Sequence, residues 1–266
     1  MKGVLRMNYK HLLEVKDLSI NFGGIKAVDQ FNFHVDKNEI IGLIGPNGAG
    51  KTTVFNMLTG VYTPTSGNIL WKGKNIEGSL PQDIVKQGIS RTFQNIRLFD
   101  DMRVIENVLI GSHINIKYNL LDSVFENRRF KEHEEEATQK AIDVLKSLNM
   151  EDKIDMYADS LPYGDQRKVE IARAVATGAE LILLDEPAAG MNPYESEELL
   201  EFISNIRDLG ITILLIEHDM NVVMNVSDRV YVLDNGKLIS NGLPEEVAHD
   251  PNVIKAYLGG EAFANH

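Results

Sequence analysis

No cysteine occurs among the 266 residues, which excludes disulfides, zinc–thiolate centres and iron–sulfur clusters. Positive charge is scarce as well: 27 Lys and Arg face 39 Asp and Glu, a formal net charge of −12. That balance argues against a broad footprint on nucleic acid or on an anionic membrane. Long apolar runs are also missing. The longest, such as Ile211 to Ile216, fall far short of the roughly 20 residues that a bilayer-spanning helix needs. The opening MKGVLRMNYK has no apolar signal core, and Met7 offers an alternative start. Neither an internal repeat nor a low-complexity linker breaks the chain. These absences predict a soluble chain of one substantial domain, and 43% hydrophobic residues supply its core.

The most informative segment is Gly45-Pro46-Asn47-Gly48-Ala49-Gly50-Lys51-Thr52-Thr53, which satisfies G-x-x-x-x-G-K-[ST]. Upstream, Glu39 to Ile44 reads as a short buried strand; downstream, Thr52 to Leu58 reads as a helix stopped by Gly60. Strand, loop and helix make a phosphate cradle. Glycines let successive backbone N–H groups turn inward, and the helix N-terminus adds its positive dipole end. Lys51 supplies a point charge to the β- and γ-phosphates, and Thr52 can ligate Mg²⁺.

Residues 12–35 and 68–76 alternate apolar and β-branched positions around glycines, which predicts antiparallel hairpins beside the nucleotide site. Leu181 to Leu184 and Ile211 to Ile216 are continuous apolar runs, as for strands of a parallel sheet buried on both faces. Between them Leu199, Phe202, Ile203, Ile206 and Leu209 keep helical spacing, after Pro193 and before Gly210. Asp234-Asn235-Gly236 predicts a type I′ turn joining Arg229 to Leu233 with Lys237 to Ser240. In the middle, strand signals vanish and Ala137, Ala141, Val144, Leu145 and Leu148 form the stripe of an amphipathic helix. The run Lys131 to Glu136 is its solvated start; His133 and the glutamates point to different faces, which disfavours a metal site there.

Leu181 to Glu186 (LILLDE) places Asp185 at the carboxyl end of a buried strand, suited to the Mg²⁺ water shell. The adjacent Glu186 can accept a proton from the water attacking the γ-phosphate. His218 follows the strand 211–216 at a carboxyl end, where it contacts the γ-phosphate or is an ordinary surface histidine. Gln94 follows Ile89 to Phe93, the last strand signal before the helical middle, and its amide reaches Mg²⁺ or the attacking water, or simply faces solvent. Leu161-Pro162-Tyr163-Gly164-Asp165-Gln166 opens a helix running on through Ala174, with Pro162 in its first turn and free N–H groups for an anion.

Taken together, these motifs resemble the nucleotide-binding subunit of an ATP-binding cassette (ABC) transporter over nearly the whole chain from about residue 12. The resemblance implies an α/β fold: a P-loop NTPase (RecA-like) core with an antiparallel β layer and an inserted α-helical subdomain. It divides a single domain into a core of 12–94 and 167–240, a helical subdomain of 95–166 and a C-terminal extension of 241–266. Phe22 lies where the family stacks an aromatic on adenine, 45–53 match the Walker A loop and Gln94 the Q-loop glutamine. LPYGDQ resembles the signature, which gives Tyr163, Gly164 and Asp165 a nucleotide role; LILLDE resembles Walker B with the catalytic Glu186, and His218 the switch histidine. Metal ligation then falls to Thr52, Gln94 and Asp185, and catalysis to Glu186, His218, Gln94 and Lys51, with ATP and Mg²⁺ as cofactors.

Two motifs depart from the family pattern. Pro162, Tyr163 and Asp165 replace the serine, first glycine and glutamine of LSGGQ, and Asn192 stands where many relatives have aspartate. Gly164 and neighbouring N–H groups can still contact an anion, so hydrolysis is expected to persist. With RTFQNIRLFDDMRVIENVLIGSH, LDEPAAGMNP and DPNVIKAYLG, these departures resemble the ATPase of high-affinity branched-chain amino acid importers, the first of their two ATPase subunits. Urea-import and lipopolysaccharide-export ATPases share much of the pattern, and a soluble non-transport ABC ATPase is the other alternative. The implied partners are transmembrane permease subunits, a second ATPase subunit forming a homo- or heterodimer and, indirectly, a substrate-binding protein, with no nucleic acid. The implied location is peripheral, on the cytoplasmic face of the membrane. Ile96, Leu98 and Phe99 either line a groove for a permease helix or pack within the subdomain.

Overall fold

The computed structural model describes residues 9–115, 128–218 and 220–263; Met7 and the last three residues of the C-terminal extension lie outside the described residues. The strands are β1 (Leu13–Phe22), β2 (Ile25–Val35), β3 (Ile40–Ile44), β4 (Ser66–Trp71), β5 (Lys74–Asn75), β6 (Ile89–Arg91), β7 (Leu181–Asp185), β8 (Thr212–Ile216), β9 (Arg229–Asp234) and β10 (Lys237–Gly242). The helices are α1 (Lys51–Leu58), α2 (Pro81–Lys86), α3 (Val104–Ser112), α4 (Arg128–Ser147), α5 (Tyr163–Ala176), α6 (Pro193–Asp208), α7 (Met220–Val226), α8 (Pro244–Ala248) and α9 (Pro251–Phe263). The chain divides into two compact units, residues 1–84 with 210–266, and residues 85–209.

In the first unit β1 pairs antiparallel with both β2 and β4, and β4 with β5, as the alternation in 12–35 and 68–76 predicts. The second sheet of this unit runs β8-β3-β9-β10. Strand β3 is parallel to β8 and β9, and β10 returns antiparallel on β9. Every residue of β3 and β8 is buried, which is why both read as unbroken apolar runs. Each buried Ile or Leu there contributes roughly 1.5–3 kcal/mol relative to exposure. The β9–β10 turn has φ 46° at Asn235 and 77° at Gly236, the left-handed pair that a type I′ hairpin demands.

In the second unit β6 and β7 are parallel, and β7 is buried throughout. The stripe of α4 is buried at Ala137, Ala141 and Leu145, with Leu148 following just past the helix end. Helix α5 begins at Tyr163, with Pro162 as its N-cap rather than in its first turn; its φ of −55° and ψ of 153° keep the chain extended up to the helix. Helix α6 starts with a capping box. Asn192 accepts from the backbone N–H of Glu195 at 3.0 Å, and the Glu195 carboxylate accepts from the N–H of Asn192 at 3.0 Å. Asn192 is therefore a helix cap as well as a loop residue.

Candidate functional site

The phosphate loop joins β3 to α1. Gly50 caps α1 with φ 105°, and a Cβ there would lie 2.7 Å from the Ala27 carbonyl oxygen, so only glycine fits. Behind the loop stands the β9–β10 turn: the N–H of Gly236 donates to the carbonyl of Ala49 at 2.9 Å, and the N–H of Asp29 donates to the carbonyl of Gly236 at 2.8 Å. Lys51 is buried, its Nζ donating to the carbonyls of Gly45 at 2.6 Å and Pro46 at 3.1 Å. Its ammonium is thus held across the loop by carbonyl oxygens, while Asn47, Gly48 and Thr52 are exposed and Ala49 is buried. Thr53 is half-buried on the first turn of α1.

Sequence reasoning did not find the loop's other neighbour. Tyr257, on α9, packs against the core of Ile44, Val230, Val232 and Val253. Burial pushes the pKa of its phenol up to about 12. In the same unit Phe22 is exposed at the end of β1 and meets Tyr62 edge-on at 5.3 Å. His218 follows β8, more than half exposed, with Nδ1 3.9 Å from the buried Glu217 carboxylate.

In the second unit the structure brings Gln94, Asp185 and Glu186 together. Gln94 Nε2 donates to Glu186 Oε2 at 2.8 Å, and Arg91 Nη2 donates to Asp185 Oδ2 at 2.6 Å. Glu186 has φ 47°, a left-handed backbone at a non-glycine residue of the kind that clusters at functional sites. A carboxylate at the end of β7 is a hard oxygen donor of the kind Mg²⁺ takes, and since Arg91 occupies it here, Asp185 would serve such an ion only once that pair parts.

The segment carrying Gln94 is tied down by a residue that sequence reasoning passed over. Arg167, fully buried in α5, donates to the carbonyls of Phe93 at 2.7 Å and Gln94 at 2.6 Å and to Glu170 Oε2 at 2.7 Å. The signal was legible: an Arg and a Glu three apart, on a helix whose neighbours Val169, Ile171 and Ala172 are core residues. Asn107, also buried, bonds the carbonyls of Phe99, Met102 and Arg103 and so fixes the loop after Gln94. At the start of α5 the Tyr163 hydroxyl donates to the carbonyl of Ala189 at 3.3 Å, Gly164 is buried, and Asp165 sits 3.8 Å from both Lys153 and Lys168.

A glycine-cradled lysine at a helix start, and a strand ending in two acids held by Arg91 and Gln94, define a P-loop nucleotide-binding protein. Residues 28–189 match the family model of ABC transporters, and residues 237–262 that of branched-chain amino acid ATP-binding cassette transporters. The chain belongs to the ATP-binding, ATP-hydrolysing subunits of ABC transporters, in their branched-chain amino acid branch. It is 47% identical over 249 residues, 93% of this chain and 98% of the relative, to the high-affinity branched-chain amino acid transport ATP-binding protein LivG of Escherichia coli K12. It is 44% identical over the same shares to the corresponding protein BraF of Pseudomonas aeruginosa. Among solved structures, the ADP conformation of MJ1267, an ATP-binding cassette of an ABC transporter, superposes with a TM-score of 0.81 at 32% identity, over 94% of this chain and all of that one. The α/β P-loop fold expected from the motifs is thereby established. No helix among the described residues is long and apolar enough to cross a membrane.

Proposed function

We propose that this chain is the ATPase subunit of a branched-chain amino acid importer, acting at the cytoplasmic face of a membrane permease as one of two cassettes. The observation that carries the substrate class is the 47% identity to LivG, spread over 93% of this chain. Lys51 and the loop amides from Gly45 to Thr53 take the β- and γ-phosphates. Thr52, Gln94 and Asp185 hold Mg²⁺, Phe22 stacks on adenine, and Glu186 receives the proton of the attacking water. His218 supports the γ-phosphate, while Tyr163, Gly164 and Asp165 serve the nucleotide of the second cassette. Residues 95–166 are the helical subdomain of the single domain, set between core segments 12–94 and 167–240, and 241–266 form its C-terminal extension. Closure of the cassette pair on ATP and its reopening after hydrolysis drive the permease through differential binding of its two states.

Purification of the chain from native membranes in mild detergent tests this reading. Co-purification of a multi-span permease pair, a second cassette subunit and an amino-acid receptor is the expected result. Recovery of ribosomal or repair proteins instead would keep the ATPase and discard the transport role.

A further inference from the structure

Arg91 and Gln94, three apart, hold Asp185 at the end of β7 and Glu186 just after it. Arg91 reaches Asp185 at 2.6 Å, and Gln94 reaches Glu186 at 2.8 Å. The strand register explains the pairing: β6 and β7 are parallel with Arg91 beside Leu183, so the cation and the acid two residues on emerge at the same strand ends. The ion pair is closed to water, its side chains 9% and 7% exposed, and the guanidinium carbon lies 5.5 Å from the centre of the Phe93 ring. A charge-assisted bond of this length between two desolvated groups is among the stronger contacts a carboxylate makes.

Resting on the reading of Asp185 as a metal-side carboxylate, we propose that Arg91 is a positioning residue that holds the cation side of Asp185 and competes with the metal for it. A guanidinium and a divalent cation repel each other at such range, so one carboxylate does not serve both cheaply. When metal and nucleotide bind, Asp185 exchanges the guanidinium for the metal's water shell. Arg167 anchors the carbonyls of Phe93 and Gln94, so the exchange is a rotation of the Arg91 side chain above a fixed backbone. Phe93 and Arg97 lie next to that movement, with the Arg97 guanidinium 4.6 Å from the ring. Arrival of the metal at Asp185 is thereby sensed in the same short segment whose Gln94 holds Glu186.

The experiment measures Mn²⁺ affinity by electron paramagnetic resonance of free Mn²⁺, on the full chain with a non-hydrolysable ATP analogue. Arg91→Gln removes the competing charge and is expected to bind Mn²⁺ about tenfold more tightly than the wild type. Equal or weaker binding by a folded Arg91→Gln overturns the proposal. Should Arg91→Gln not fold, Arg91→Met removes the charge on a chain of similar reach, and a tightening of about tenfold is again expected, with an unchanged affinity overturning the proposal. Asp185→Asn separates the two readings: it should lose most Mn²⁺ affinity, and if it binds as the wild type does, the metal-side reading of Asp185 fails and the proposal with it.

Discussion

Replacing Arg167 by Ala should be among the most damaging single changes in this protein. The side chain is 0% exposed and its partner Glu170 2%, so the substitution leaves a buried carboxylate without its nearest cation. Breaking a buried pair on one side costs about 3–5 kcal/mol, because desolvation of the surviving charge is no longer offset. The carbonyls of Phe93 and Gln94 lose their donors as well. Against a domain stability of roughly 5–15 kcal/mol, such a loss is a large fraction of the whole. The charge argument makes a sharper prediction about pH. Burial already raises the pKa of Glu170, while Arg167 and Arg173 pull it down, so removing Arg167 raises it further. A carboxyl whose folded pKa lies above its unfolded one contributes stability below the unfolded value and loses it as pH rises through the folded value. The Arg167→Ala defect should therefore shrink as pH is lowered from 8 toward 5, and Glu170→Gln in the same chain should recover part of it at pH 8. Urea unfolding followed by circular dichroism across that range measures both effects. A loss below about 1 kcal/mol, or a defect that grows on acidification, would refute the buried-charge reasoning.

Four further outcomes are expected. Glu186→Gln should keep nucleotide binding while phosphate release falls by about 10²- to 10⁴-fold, the usual contribution of a general base; unimpaired turnover would remove Glu186 from that role. At Gly236, φ is +77° and an added Cβ would lie 2.7 Å from the Ala27 carbonyl oxygen, so Gly236→Ala should cost about 1–3 kcal/mol in chemical unfolding and weaken nucleotide binding through the Ala49 contact. For His34, burial first and then Arg229 and His11 lower the pKa, so its contribution to stability is present above the unfolded value and lost as pH falls through the folded one. His34→Gln, which keeps an acceptor for Arg229 Nη1, should flatten the fall in melting temperature between pH 7.5 and 5. With Phe99 53% exposed and Leu98 half-buried, the double change Leu98→Ala and Phe99→Ala should weaken permease pull-down without loss of basal phosphate release; undiminished association would assign both residues to packing.

The periodicities and motifs of this chain were enough to place most elements. Continuous apolar runs became β3, β7 and β8 because a strand buried on both faces tolerates nothing else, and Asn235-Gly236 became a hairpin turn because few other pairs reach two positive φ angles cheaply. The phosphate loop was legible for the same reason: its constraints are local, with glycine at Gly50 and lysine at Lys51 required by backbone geometry within a few residues. Tertiary structure alone decided the contacts between distant segments. Nothing in the spacing of RTFQ and LILLDE says that Arg91 will meet Asp185, because a sequence separation of 94 leaves the pairing to the parallel register of β6 and β7. At Arg167 the Arg–Glu spacing on a core-lined helix was a local signal of burial, but its bonds to the carbonyls of Phe93 and Gln94, 74 and 73 positions away, follow from packing that no local pattern encodes. Tyr257 and Gly236 approach the phosphate loop from the chain's far end in the same way. Sequence specifies what each short segment can do by itself, since propensity and periodicity act over a few residues; which segments meet is set by burying all their apolar faces at once.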